Sequence, residues 1–229
     1  MLRLRAFKAI DDLESCQKFL KGHGDILSSI GVNKVTSSTE TWMENPGTYV
    51  LVVENTDTGE VMGGARVDTS YGNQKLPIAA ATGYMDPKIH DFIDRESEHG
   101  TGEICGLWNS RKVAGLGFGS LFLTRAAVAI TTQIRVKSLF ALCAPYTVAT
   151  AENFGYETLK EVGNEGTFYY PKLDLLATAM LLPDTDLLQS ASDLELDRVG
   201  SLRQKPNQIF TEQSKRKEVE VQYQLEINS

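Results

Sequence analysis

One glycine-rich segment of the sequence has the residue types and the spacing of a phosphate site. A predicted strand at residues 103–108 leads to the turn 114–120, which has the sequence AGLGFGS and opens a predicted helix. Glycines let the backbone approach a ligand without a Cβ in the way, and the first amides of a helix lack internal partners. With the helix dipole they favour a pyrophosphate over this turn, and Arg111 and Lys112 are close enough in sequence to neutralise it.

Two common nucleotide motifs do not fit this turn. A P-loop places a Lys and then a Ser or Thr after its last glycine, whereas Ser120 follows Gly119 directly. A dinucleotide-binding turn has the spacing G-x-G-x-x-G and an acidic residue about 20 positions further on. This turn has the spacing G-x-G-x-G, and the next predicted strand, residues 138–144, contains no acid. Both motifs are therefore disfavoured.

The composition is that of an ordinary globular protein. The 229 residues are 41% hydrophobic and 23% charged, and the formal net charge of −7 argues against a general nucleic-acid binder. Cys16, Cys105 and Cys143 are too few and too scattered for a disulfide framework or a zinc cluster. We therefore expect no metal and a cytoplasmic protein with reduced thiols. We also expect no signal peptide and no membrane span, because no apolar stretch has the required length.

Periodic patterns predict the elements that hold the turn. Apolar spacings of three and four predict a helix over residues 7–30, and β-branched runs around a turn predict a hairpin over 48–68. Residues 70–102 lack a clean period and are long for a plain loop, which is typical of functional or disordered segments. After the turn the patterns predict a helix that is buried on most sides (residues 118–133) and a buried strand (138–144). A short helix (147–154) and two further strands (around 155–157 and at 167–170) follow.

The composition changes after about residue 172, so we predict a main domain (residues 1–172) and a C-terminal extension (residues 173–229). The extension begins with an apolar run (residues 175–182) and an acidic helix (184–200). A loose polar linker (203–217) and a terminal strand (218–227) follow. The terminal strand alternates strictly between apolar and polar residues, which indicates one buried face. It must pair with a sheet in its own chain or on a partner. A capped sheet edge and a homodimer through this strand are both hypotheses.

The order of these elements, together with two short motifs, resembles the GNAT acyltransferase superfamily. The segment 114–119 matches the superfamily motif Gln/Arg-x-x-Gly-x-Gly/Ala at its fixed glycines, Gly117 and Gly119. The segment 154–156 (FGY) fits the superfamily's "GF" landmark. The resemblance covers about residues 3–170. It implies an α+β fold, with a mixed and largely antiparallel sheet flanked by helices and followed by the C-terminal extension.

The resemblance implies that acyl-coenzyme A places its pyrophosphate on the turn. Ala114 stands where the superfamily usually has the Gln or Arg that helps to hold the pyrophosphate. Either Arg111 or Lys112 replaces that side chain, or the pyrophosphate is held less firmly. The implied cofactor-binding residues are Leu107, Trp108, Asn109, Arg111, Lys112, Ala114, Gly115, Leu116, Gly117, Phe118, Gly119 and Ser120.

The resemblance also implies a path for the pantetheine arm and a direct reaction. The arm would run between the strands at 103–108 and 138–144, which splay apart in this fold. Backbone amides near residues 107–109 would stabilise the oxyanion that develops on the thioester carbonyl. A small-molecule amine would attack the thioester directly, after losing a proton to a nearby base.

Glu103 is the candidate base, acting directly or through water, because the superfamily often places a catalytic glutamate at this position. The alternative interpretation is a strand-end surface carboxylate. The superfamily's usual acid is a tyrosine, but Ala151 occupies its position here. Tyr146 is therefore the candidate acid, although its place beside Pro145 is equally that of a structural turn residue.

A narrower resemblance concerns the segment between the hairpin and the strand that contains Glu103. Residues 75–87 (KLPIAAATGYMDP) followed by GEICGLW are similar to the layout of autoinducer synthases and bacterial long-chain N-acyl amino acid synthases. Those relatives keep a glutamate at the position of Glu103 and an arginine soon after it, but no arginine follows here. This branch implies a long acyl chain, an acyl carrier protein or acyl-CoA donor, and an amino-acid-like acceptor. Apolar residues that would wall its acyl tunnel are Leu76, Pro77, Ile78 and Met85.

The sequence therefore leaves three functions open. The first is acyl transfer from acyl-coenzyme A to an amine, and the second is the carrier-protein-dependent long-chain synthase. The third is a non-catalytic acyl-CoA sensor, which the alanines at 114 and 151 favour and Glu103 opposes.

Overall fold

A computed structural model of the chain describes residues 1–32, 35, 40–71, 75–114, 116, 118–213 and 218–227. Ten strands in this part of the chain form one mixed sheet. The strands are β1 (Leu2–Lys8), β2 (Thr48–Asn55), β3 (Val61–Thr69), β4 (Thr101–Asn109), β5 (Ser138–Cys143), β6 (Glu157–Thr158), β7 (Thr167–Tyr169), β8 (Leu176–Leu182), β9 (Asn207–Gln213) and β10 (Glu218–Gln224). They lie in the order β6-β8-β5-β4-β3-β2-β1-β10-β9, with β7 also paired to β8. Two pairs, β1–β10 and β4–β5, are parallel, and the others are antiparallel.

Helices cover both faces of the sheet. One face carries α1 (Leu13–Ser29), α2 (Pro77–Thr82) and α3 (Lys88–Ser97). The opposite face carries α4 (Leu123–Ile130), α5 (Pro145–Glu152) and α6 (Asp193–Gln204). A π-helical turn (Phe118–Phe122) leads directly into α4, and short 3-10 turns lie at Ala9–Asp11 and Thr41–Glu44. Within the described residues, no helix is long and apolar enough to cross a membrane.

The N-terminal helix begins later than the sequence predicts, at Leu13 instead of residue 7, and it ends at Ser29, close to the predicted end at residue 30. Residues 7 and 8 belong instead to strand β1, which pairs along its length with β2. Helix α1 begins at Leu13, where the Asp12 side chain accepts a hydrogen bond from the Ser15 amide at 3.0 Å. The helix is not interrupted at Gly22. A Cβ there would lie 2.0 Å from Trp108 Cη2, so the glycine lets α1 approach β4 closely.

Two segments that the sequence leaves irregular are regular in the structure. The region 70–102 contains α2 and α3, with Pro77 at the first turn of α2, where a proline fits because no amide partner is needed there. The segment predicted as a loose linker contains β9, which pairs with β10 and packs Phe210 against Tyr223 at 6.1 Å between ring centroids. Both corrections have the same reason, because these short elements are stabilised by tertiary contacts rather than by a long periodic pattern.

Several predicted elements are confirmed. The hairpin is β2–β3, and α1 approaches it closely at Gly64, because a Cβ there would lie 2.7 Å from Phe19 Cδ2 of α1. The buried strand is β5, between β4 and β8. The predicted buried helix is the π-helical turn followed by α4, and every residue of α4 is buried.

The terminal strand β10 pairs entirely within its own chain. It lies between β1 and β9 and is hydrogen-bonded on both edges. This pairing favours the capped edge, because strands of the same chain occupy both edges of β10. The homodimer through this strand stays a prediction. Three strands, β8, β9 and β10, come from residues after 172 and belong to the same sheet as the rest. The proposed boundary at residue 172 stays a prediction.

A buried ion network, which we call the Arg125 cluster, joins these C-terminal elements to α4. Arg125 donates to Glu195 of α6 through Nε (2.6 Å) and Nη2 (2.7 Å), and to Glu212 of β9 through Nη1 (2.7 Å). The Tyr223 hydroxyl of β10 donates to Glu212 Oε1 at 2.8 Å. All four side chains are buried, so α4, α6, β9 and β10 are held together by a fully desolvated network.

Candidate functional site

The parallel strands β4 and β5 pair over only part of their length. Residues 101–104 pair with 138–141, and the pairing ends there. On the other edge of β4, Cys105 is opposite Arg66 and Trp108 is opposite Gly64, so two residues of β4 face one residue of β3. This β-bulge includes Gly106 at φ +59°, a conformation that favours glycine. The bulge bends β4 away from β5 and opens the sheet at its centre.

A cavity of about 610 Å³ lies at this opening. Its walls come from both faces of the sheet, including His23 of α1 and Ala81 of α2 on one face, and Thr124 of α4 and Ala151 of α5 on the other. The segment 170–177 adds a further wall. The cavity therefore lies between elements from both faces of the sheet at this point of β4.

Glu103 lines this cavity and is only 2% exposed. Its Oε2 accepts a hydrogen bond from the Ile78 amide of α2 at 2.6 Å. Burial raises the pKa of Glu103 to about 8, with the negative charge of Asp68 adding to it, while the Ile78 amide and Arg66 oppose the shift. The interpretation as a strand-end surface carboxylate is wrong. Its raised pKa lies within reach of neutral pH, unlike that of an exposed glutamate.

A second buried network, the Arg66 cluster, lies beside Glu103 on β3 and β4. Arg66 donates to Asp68 through Nε (3.3 Å) and Nη2 (2.8 Å), and Nη2 also lies 3.3 Å from Cys105 Sγ. Thr48 Oγ1 donates to Asp68 at 2.9 Å, and the Arg66 guanidinium stacks over the Trp42 ring at 4.4 Å. Burial raises the pKa of the Cys105 thiol well above its ordinary value despite the Arg66 charge. Cys105 is therefore a neutral thiol, not an activated nucleophile.

Two polar side chains in the cavity wall are buried without a hydrogen-bond partner, namely His23 at Nδ1 and Tyr156 at its hydroxyl. Burial, followed by the Arg66 charge, lowers the pKa of His23 to about 4, so its imidazole is neutral. Burial, followed by the charges of Cys143 and Glu103, raises the pKa of Tyr156 well above its ordinary value, so its phenol keeps its proton. Unsatisfied buried polar groups are rare in proteins and typical of functional sites.

The structure brings the sequence-predicted catalytic residues to one cavity, at different depths. Tyr146 lines the cavity but is 85% exposed, so it lies at the mouth. Ala151, at the superfamily's tyrosine position, is a buried part of the wall. Sequence reasoning used Tyr156 only as a landmark of the FGY motif and missed it as a functional candidate. No pattern in the sequence shows that its hydroxyl is unsatisfied.

The glycine-rich turn follows β4 directly. Gly115 and Gly117 lie outside the described residues. The amides of Ala114 and Leu116 donate within the turn, to the carbonyls of Arg111 (3.4 Å) and Val113 (3.1 Å). These two amides are therefore not free, contrary to the expectation that the whole turn presents unpaired amides. The helix also opens as a π-helical turn rather than an α-helical one.

The other predicted cofactor-binding residues have different surroundings. Leu107 and Ser120 line the cavity. Lys112 Nζ is 2.7 Å from Glu60 Oε1, which already offsets its charge, while the Arg111 side chain is exposed. Three side chains make structural contacts. Phe118 is buried in the core, Trp108 packs against Phe19 of α1, and Asn109 lies against Gly119, where a Cβ would be 2.5 Å from Asn109 Oδ1.

Comparison with solved structures shows the GNAT acyltransferase fold, as the sequence resemblance predicts. The N-acyl amino acid synthase FeeM from uncultured soil microbes is 15% identical, with 78% of this chain and 95% of that chain covered and a TM-score of 0.60. The CoA-dependent acyl-homoserine lactone synthase BjaI, solved with SAM and isopentyl-CoA, is 12% identical over 87% of this chain and 90% of that one (TM-score 0.55). An acyl-CoA N-acyltransferase from Pseudomonas aeruginosa is 14% identical, with 79% of this chain and 99% of that chain covered and a TM-score of 0.50. No family model matches the sequence, and no curated protein matches it significantly.

Proposed function

We propose that this chain is an N-acyltransferase that moves an acyl group from an acyl-coenzyme A thioester to an amine, with Glu103 as the general base. One observation carries the proposal. A buried carboxyl with a pKa of about 8 faces a cavity at the point where β4 and β5 separate. A base with a pKa near the working pH is ionised in a substantial fraction of the molecules and still binds a proton strongly enough to remove it from the substrate.

The reaction that fits this geometry is a direct transfer. The acceptor ammonium gives a proton to the Glu103 carboxylate, directly or through water, and the freed nitrogen attacks the thioester carbonyl carbon. A C–N bond forms, the C–S bond breaks, the coenzyme A thiolate leaves, and the nitrogen releases its second proton to solvent to give the neutral amide. Beyond Ile104 the cavity edge of β4 is not paired with β5, and Gly106 and Leu107 line the cavity there. This placement supports their backbone as the source of oxyanion stabilisation.

The leaving thiolate takes its proton from Tyr156 or from solvent in this proposal. Tyr156 is supported by its buried, unsatisfied hydroxyl in the cavity wall and by a raised pKa that keeps the phenol protonated. Tyr146 has only its position at the cavity mouth in its favour. A Tyr156→Phe variant that lowers kcat more than Tyr146→Phe would support this assignment, and the reverse order would support Tyr146.

The donor class is the second part of the proposal. Coenzyme A and an acyl carrier protein present the same phosphopantetheine thioester, so the cavity alone does not separate them. The exposed Arg111 next to the turn supports coenzyme A, because its side chain is accessible to a pyrophosphate. Steady-state assays with acetyl-CoA, a long-chain acyl-CoA and the matching acyl carrier protein would rank the three donors by kcat/KM.

Release of free coenzyme A thiol in the presence of a panel of amines tests the function. Glu103→Gln should lower kcat/KM by about 100- to 10,000-fold, because the amide cannot accept the proton. Glu157→Gln, which changes an exposed glutamate on β6, is the matched control and should retain the wild-type rate. An unchanged rate in Glu103→Gln would exclude this residue as the base. Thermal stabilisation by acyl-CoA without turnover of any amine would instead support a sensor.

A further inference from the structure

A buried histidine of α1 lies beside the bulge of β4. His23 is 5% exposed and lines the cavity, and its ring packs against Phe19 with 6.0 Å between the ring centroids. A Cβ built on Gly106 would lie 3.8 Å from His23 Cε1, which is the nearest atom of that side chain. Because Cε1 is bonded to both ring nitrogens, the edge of the imidazole that carries the nitrogens faces Gly106.

The His23 ring carries a polar atom whose hydrogen-bonding capacity is not used within the chain. Nδ1 is buried and has no hydrogen-bond partner among the described residues. A buried polar group without a partner lowers the free energy of unfolding, and such groups are rare in folded proteins. A phenylalanine would fill a similar space without this cost. Packing alone therefore does not account for a histidine at this position.

The imidazole of His23 is neutral at neutral pH. Burial, followed by the charge of Arg66, lowers the pKa of His23 to about 4. A neutral imidazole has a proton on one nitrogen and a lone pair on the other, so it still donates one hydrogen bond. Enzymes use such a neutral imidazole, with a lowered pKa, to polarise a substrate carbonyl. The charge state of His23 therefore suits a hydrogen-bond donor better than a general base.

The same bulge is where negative charge develops in the proposed reaction. Pairing of β4 with β5 ends at Ile104, and Gly106 and Leu107 line the cavity beyond that point. In the proposed function their backbone stabilises the oxygen of the thioester carbonyl as it becomes an oxyanion. An oxygen bound at Gly106 is also next to the edge of His23 that carries the nitrogens.

We infer that His23 donates a hydrogen bond to the carbonyl oxygen of the thioester, in addition to the backbone of Gly106 and Leu107. The inference rests on the proposed function and names a further catalytic residue of the same site. The oxygen gains negative charge as the amine attacks, so this hydrogen bond is stronger in the transition state than in the ground state. The proton stays on His23, because the electron pair returns to the carbonyl when the C–S bond breaks. Glu103 remains the base.

Two substitutions of His23 separate hydrogen bonding from packing. His23→Phe removes the donor, whereas His23→Gln keeps one in the side-chain amide. The assay uses acetyl-CoA or octanoyl-CoA, whichever the wild type uses faster, with the amine of the panel that is acylated fastest. His23→Phe should lower kcat by about 100-fold or more and change KM by less than about threefold, because the lost contact acts on the transition state. His23→Gln should have a kcat at least about tenfold above that of His23→Phe.

A matched control and a stability measurement complete the test. His99 is exposed and is not among the residues that line the cavity, so His99→Phe should retain the wild-type kcat. His23→Phe should unfold at the same urea concentration as the wild type or at a higher one, because the unsatisfied nitrogen is removed. A lower midpoint for His23→Phe would show that packing requires the imidazole and would count against the inference. A kcat that falls equally in His23→Phe and His23→Gln would overturn it.

The outcomes also separate this inference from the proposed function. If the wild type acylates an amine and His23→Phe keeps its kcat, the role of His23 is refuted and the acyltransferase assignment stays in place. If the wild type acylates no amine of the panel with any thioester donor, the proposed function fails and the inference about His23 fails with it.

Discussion

The molecule contains two buried arginines with different surroundings. Arg66 and Arg125 are both almost fully buried, and each lies over an aromatic ring, at 4.4 Å from Trp42 and 5.3 Å from Phe122. Arg125 binds two carboxylates, from α6 and β9, and Tyr223 completes the network. Among the described residues, Arg66 binds one carboxylate, Asp68, together with the thiol of Cys105.

The two arginine clusters also differ in whether the polar groups beside them have hydrogen-bond partners. Beside the Arg66 cluster, Glu103 is held by a single backbone amide, and His23 and Tyr156 have buried polar atoms without partners. Within the described chain, no such unsatisfied atom is found on the four side chains of the Arg125 cluster. A closed network fixes one arrangement of helices and strands, whereas groups left unsatisfied beside a cavity are available to a ligand.

The largest expected effect is on the free energy of unfolding, which should fall more when Arg125 is replaced than when Arg66 is replaced. Arg125→Met leaves two buried carboxylates without a cation and should lower the free energy of unfolding by about 3–5 kcal/mol. Arg66→Met leaves one carboxylate and should cost less. Urea unfolding monitored by circular dichroism measures both variants. A greater loss in Arg66→Met would contradict the comparison. Replacing Arg125, Glu195 and Glu212 together by Met, Leu and Leu should be far less harmful than Arg125→Met alone.

The second effect is a pH dependence of stability caused by Glu103. Its pKa is about 8 in the folded chain, against 4.5 for the ordinary side chain, so the folded state binds the extra proton between these values. Stability must therefore fall as pH rises from about 4.5 to 8, and level off above 8. The contribution is at most about 5 kcal/mol. Denaturant unfolding of wild type and Glu103→Gln at several pH values measures it. A difference between the two proteins that is independent of pH would contradict the raised pKa.

The third effect is the pH dependence of activity at the same residue. If the carboxylate form of Glu103 is the base, kcat/KM should rise about tenfold per pH unit well below its pKa of about 8, and level off above it. The residual activity of Glu103→Gln should lack this rise. A profile with its midpoint near pH 4.5 would show that Glu103 is not buried in the working enzyme.

The smallest effect concerns how closely α1 packs beside the Arg66 cluster. Gly22→Ala places a Cβ 2.0 Å from Trp108 Cη2 and should lower stability by about 1–3 kcal/mol. Gly24→Ala is the matched control, since nothing lies within 4 Å of its added Cβ. That variant should be neutral or more stable by up to about 1 kcal/mol, because alanine favours the helix. Equal midpoints of thermal unfolding for the two variants would contradict the close packing.

Local patterns in the sequence predicted the centre of the fold well. The hairpin β2–β3 and the strand β5 have strong β-branched or apolar patterns, and the order of elements identified the GNAT fold. The strand that contains Glu103 was also predicted, although it begins two residues earlier, at Thr101, so Glu103 is inside the strand and not at its start. Its burial was not predicted, because it depends on α2, which packs over β4 from a segment without a clean period.

The errors have a common physical origin in contacts between distant parts of the chain. The predicted helix begins at residue 7, whereas residues 7 and 8 are the end of β1 and the helix begins five residues after the strand's Lys8. Strand β9 is polar and short, and its conformation depends on pairing with β10. The unsatisfied Tyr156 hydroxyl is likewise a property of the assembled cavity. Local sequence carries little information on such tertiary effects.

The parallel pairing of β1 with β10 has a consequence for folding during synthesis. Residues 2–5 leave the ribosome long before their partners on one edge, residues 221–224. The hairpin can cover the other edge of β1 early, but the sheet cannot close on this side until β10 has emerged. Contacts of such high sequence separation slow folding. Between the synthesis of β1 and that of β10, this edge of β1 therefore lacks its partner strand, and an unpaired edge is a site for incorrect pairing.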